Sequence, residues 1–169
     1  MSRHSPLRRL RETGPVGLVP LAWGFAAAAH LRILDDRAVL VGHLVMATVL
    51  FFFAVLSWSE MRTHPVLRAW LAVVSVGFSV TLVGAYALFA GDETLAALVV
   101  LGWMVLPTLA LLYTGRLLPR EERAWAYTVG GAVSGVGALA FAAGVAPVVA
   151  LALAGLGQTL GIVVAVVEY

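Results

Sequence analysis

Apolar residues in this chain neither alternate nor keep to one face at helical spacing. They fill whole stretches of about twenty, and the polar residues collect in short breaks between those stretches. Crossing a hydrocarbon core of about 30 Å takes a run of that length with its backbone amides bonded internally. Six runs qualify, roughly 15–34, 38–58, 67–90, 93–113, 124–143 and 146–167, ahead of which stands an Arg-rich segment, 1–14. The pattern predicts an all-α integral membrane protein, six transmembrane helices in a compact bundle.

The breaks refine this picture. Asp35-Asp36-Arg37 is too short for anything but a tight turn, so spans 1 and 2 are expected as antiparallel neighbours. Pro65, after an extended-biased His64, marks the start of span 3, whose Gly77, Thr81, Gly84 and Leu88 share one face. Pro107 falls inside span 4 and should free a carbonyl that neighbouring helices must satisfy. Pro15 and Pro20 in span 1 and Pro147 in span 6 lie near helix starts, where a missing amide donor is tolerated.

Composition agrees: 62% of the 169 residues are hydrophobic and 12% charged, against about 45–50% and about 25% in soluble domains. The absence of cysteine excludes disulfides and thiolate metal sites. All eleven basic residues are arginine, a bias expected of a GC-rich prokaryotic genome. A sequence pI near 9.5 would suggest nucleic acid in a soluble protein, but here the arginines sit at span ends, so no nucleic-acid partner is expected.

With the N-terminus inside, nine arginines (3, 8, 9, 11, 62, 68, 116, 120 and 123) face the cytoplasm and two, Arg32 and Arg37, face out. The positive-inside rule then predicts both termini cytoplasmic in a cell membrane. Trp58, Trp70, Tyr113, Trp125, Tyr127 and Tyr169 are expected as an aromatic belt on that side. The first fourteen residues and the run Ala26 to Ala29 imitate a signal peptide, although retention is the expectation.

Candidate chemistry is sparse. His30 and His43 lie in the same outer leaflet of adjacent spans, at depths that differ by roughly 3 Å. Together they could ligate a haem iron or a copper ion, with Met46 as a soft third ligand, or hydrogen-bond a quinone. The plainer reading gives each histidine an ordinary hydrogen bond. Gly131 and Gly135 in span 5, and Gly157 and Gly161 in span 6, form two GxxxG patterns that suit close helix packing. Ser134 and Gln158 stand in stretches similar to rhomboid proteases, yet Gln158 occupies the place of the family's histidine base. Without a base the serine is not activated, and no catalytic residue is expected.

Leu18 to Trp23 (LVPLAW) and Leu98 to Trp103 (LVVLGW) share a pattern, and Arg-Ala pairs open spans 2 and 5. Chance accounts for this simply in so apolar a chain; a 3+3 inverted repeat is the alternative. The expected function is that of a non-enzymatic integral subunit or scaffold, partnered by lipid and by other membrane subunits or further copies. Electron transfer at His30 and His43, or a small-solute transporter or channel, are the alternatives.

Overall fold

The computed structural model describes residues 6–168; residues 1–5, with Arg3, and Tyr169 lie outside the described part. Six helices follow in order: α1 (Pro6–His30), α2 (Asp36–Met61), α3 (Pro65–Ala90), α4 (Glu93–Leu117), α5 (Ala124–Ala142) and α6 (Pro147–Glu168). A 3-10 turn, Arg120–Glu122, separates α4 from α5. Helices α2 to α6 are each long and apolar enough to cross a membrane, and α1 adds a shorter apolar stretch, Val16–His30. The chain is a helical membrane bundle.

Local chemistry sets the ends. Asp35 caps α2 by accepting from the Ala38 amide at 2.7 Å, and Asp92 caps α4 through Leu95 at 2.9 Å. Pro65 begins α3, and Gly91 ends it at φ +67°, the left-handed conformation that closes a helix most cheaply in glycine. Span 1 departs from expectation. α1 runs unbroken from Pro6 through Pro15 and Pro20 and stops at His30, so part of the charged segment and the first span are one helix.

Around the bundle the helices follow the order α1, α6, α5, α4, α3, α2, each packed on the next. α1 and α2 are therefore not packed side by side, contrary to what their short connection suggested. They touch through the Phe25 ring, which lies directly on Gly42, and then follow different partners: α1 packs along α6 and α2 along α3. The reason lies in α6, whose small residues accept α1 closely: a Cβ at Gly155 would fall 2.9 Å from the Trp23 Cβ.

The tightest seam joins α5 and α6. Gly130, Ser134 and Gly137 share one face of α5 and meet Ala150, Ala154 and Gly157 of α6. A Cβ at Gly130 would lie 2.5 Å from the Gly157 carbonyl oxygen, and one at Gly137 would lie 2.6 Å from that of Ala150. Backbone thus packs on backbone, and a side chain at either position would force the helices apart.

Candidate functional site

The polar atoms inside the bundle converge on α4 at its proline. Pro107 has no amide hydrogen, so the Trp103 carbonyl four residues earlier loses its helical donor. Gln158 of α6, only 3% exposed, supplies the replacement: its Nε2 donates to the Trp103 carbonyl oxygen at 3.2 Å and lies 3.2 Å from Ser134 Oγ of α5. The amide oxygen of Gln158 accepts from the Trp23 indole at 3.0 Å. Thr108, one residue past the proline, donates its one hydroxyl hydrogen to the Met104 carbonyl oxygen at 2.7 Å and accepts from Ser134 Oγ at 2.8 Å. One amide side chain therefore ties α1, α4, α5 and α6 together around Pro107.

The node reaches α3 as well. The Trp103 indole donates to Thr81 Oγ1 at 3.2 Å, and Thr81 donates in turn to the Gly77 carbonyl at 2.8 Å. Toward the other end of the same pair of helices, the Trp70 indole donates to Thr114 at 3.2 Å. Trp70 is therefore bonded across helices and Tyr127 is buried at 3%, whereas Trp58, Tyr113 and Trp125 are exposed.

Trp23 and Trp103 hold matching places. Each indole lies on a glycine of the third helix in the opposite half, Trp23 on Gly155 and Trp103 on Gly77, and each N–H is accepted about one turn further on, by Gln158 and by Thr81. The receiving stretches read GLGQTL from Gly155 and GFSVTL from Gly77. The halves α1–α3 and α4–α6 thus exchange one contact reciprocally. The correspondence fails at one atom. Thr159, the counterpart of Thr81, is bypassed because Gln158 takes the indole, and Thr159 Oγ1 is left buried without a partner.

The two histidines pack against different helices. His30 is the last residue of α1, its ring edge-on to Phe141 of α5 with centroids 6.5 Å apart. His43 lies two turns into α2, with Nδ1 2.9 Å from the Val39 carbonyl and its ring against Gly84 of α3. A carbonyl can only accept, so Nδ1 is the donor of this bond, and Nε2 faces Gly84. Met46 is half-buried three residues further along α2. Among the described residues no three of His, Cys, Asp or Glu gather as a metal site.

The expected glycines take different roles. Gly157 faces α5 directly on Gly130, and Gly161 lies against Leu111 of α4. Gly131 and Gly135 face α4 rather than α6, against Leu112 and Thr108. Sequence reasoning missed Gly130, Gly137 and Gly155 as contact points, and Trp23 and Trp103 as donors. The signal was available in Pro107, because the carbonyl it orphans is four residues earlier, at Trp103. Comparison with family profiles, with curated proteins and with solved structures finds no match to this chain.

Proposed function

We propose that this protein is a non-enzymatic integral subunit or scaffold of a membrane assembly in a prokaryotic cell membrane, with both termini cytoplasmic. The supporting observation is the use made of its interior polar groups: Gln158, Ser134, Thr108 and Thr81 are all engaged in bonds that hold helices to one another. The partners in this reading are lipid and either other membrane subunits or further copies of the chain. Purification from native membranes in a mild detergent, followed by mass measurement of the intact particle, tests it. A stoichiometric membrane partner or a defined oligomer is expected; a lone monomer under all mild conditions would contradict it. The arginine asymmetry supports the orientation. In this cysteine-free chain, cysteines placed at Ser2 and after Tyr169 should both resist impermeant thiol reagents in intact cells.

The reciprocal Trp23 and Trp103 contacts favour a second reading, a small-solute transporter, because two related halves underlie alternating access in many transporters. Uptake of small neutral solutes into liposomes would support it over a scaffold. The electron-transfer alternative rests on His30 and His43, with Met46 three residues beyond His43 on α2. A Soret band in the purified protein that vanishes in His43→Ala would support it.

A further inference from the structure

The seam between α2 and α3 is not filled by protein. Two adjoining hollows run along it, of about 500 and 270 Å³, sharing Phe51 and Phe78, whose ring centroids are 5.9 Å apart. Leu44, Thr48, Phe51, Val55 and Trp58 form the α2 wall; Ser75, Phe78 and Leu82 form the α3 wall. From Leu44 to Trp58 the groove extends about 21 Å. One leaflet of hydrocarbon is about 15 Å deep, so an acyl chain entering beside Trp58 fits within the groove.

The mouth of this groove is charged. Arg62 follows Trp58 by four residues on the same side of α2, and Arg68 precedes Ser75 by seven on the same side of α3. Both side chains are exposed, and neither guanidinium has an ion-pair partner among the described residues. Glu60, two residues before Arg62, falls on the opposite side of α2. Two guanidinium forks above an apolar groove match a phosphate ester attached to an acyl chain. A second copy packed by rotation about the membrane normal would bring its own Arg62 and Arg68 to the same level, so like charges would meet.

We propose that the α2–α3 groove is a specific site for an anionic phospholipid of the leaflet on the Arg62 side, its acyl chain against Phe51 and Phe78 and its phosphate between Arg62 and Arg68. A zwitterionic headgroup adds a cation beside two arginines and binds more weakly.

Native mass spectrometry of the detergent-solubilised protein tests this with phosphatidylglycerol and phosphatidylcholine of identical chains. Two basic residues at about 1 kcal/mol each correspond to about thirtyfold preference for phosphatidylglycerol. Arg62→Gln with Arg68→Gln should bring the two lipids within about threefold of each other. Arg116→Gln, a cation away from the groove, should leave the preference intact. Ala54→Trp, which fills the groove below intact arginines, should abolish retention of phosphatidylglycerol while the elution volume and helicity stay those of the parent. Equal retention of both lipids by the parent, an unchanged preference in the double variant, retention by Ala54→Trp, or a dimer cross-linked through Phe51 would each overturn the proposal.

Discussion

α2 and α5 make the instructive pair. α2 is the most apolar of the candidate spans and the least covered, with 11% of its central stretch buried; α5 is the least apolar and is 44% buried. In water the order would be reversed, since burial would follow apolarity. In a bilayer lipid tails solvate leucine and phenylalanine as well as protein does, so apolar surface gives no reason to associate. Small residues and hydrogen bonds do. α5 supplies Gly130, Ser134 and Gly137 to its neighbours, whereas α2 presents Phe51, Phe52, Val55 and Leu56 outward.

The sharpest way to break that contrast is to add bulk on each side of it. Gly157→Leu should destabilise the bundle by about 3 kcal/mol or more, because the new side chain meets α5 backbone that cannot move aside. Gly24→Leu, where nothing lies within 4 Å, and Phe52→Leu on exposed α2 should each stay within about 0.5 kcal/mol, read by denaturant unfolding in mixed micelles. Gly91 is not a neutral reference, since its φ of +67° penalises any side chain.

Next in size is Gln158→Leu, which removes the donor to the Trp103 carbonyl and the acceptor of the Trp23 indole. Interhelical bonds in membranes average about 0.6 kcal/mol and reach about 1.7, so the loss should be about 1 to 2 kcal/mol in the same assay. Thr48→Ala on α2, whose hydroxyl bonds only its own helix at the Leu44 carbonyl, should cost much less.

A smaller, opposite effect is expected where α6 begins. Ala146 holds φ +42° immediately before Pro147, a left-handed conformation costly to any residue with a Cβ. Ala146→Gly should raise stability by about 1 kcal/mol, visible as a higher unfolding midpoint. The smallest change belongs to His43: His43→Gln should cost about 0.6 kcal/mol if its ring only bonds Val39 and covers Gly84.

These sites also show what was legible in the sequence. Span count and most boundaries could be read from apolar length, because a bilayer imposes that length on any helix crossing it. Helix neighbours could not. The turn after His30 suggested that α1 lies on α2, yet the contact of Trp23 with Gly155 places α1 on α6. Gly131 and Gly135 were visible as a pattern, but which neighbour they face depends on helix rotation, which the spacing does not specify. The proline implied an orphan carbonyl, and Gln158 stood out as a buried polar residue. That one serves the other is a fact of three-dimensional packing.

The central claim is that Gln158 holds the bundle by serving the carbonyl that Pro107 frees, and a double-mutant cycle measures it directly. Pro107→Ala returns an amide to the Trp103 carbonyl and makes the bond from Gln158 partly redundant. Gln158→Leu should therefore cost about 1 to 2 kcal/mol in the parent and at least about 0.5 kcal/mol less in the Pro107→Ala background. An equal cost in both backgrounds would show that Gln158 does not serve the freed carbonyl and would contradict the account.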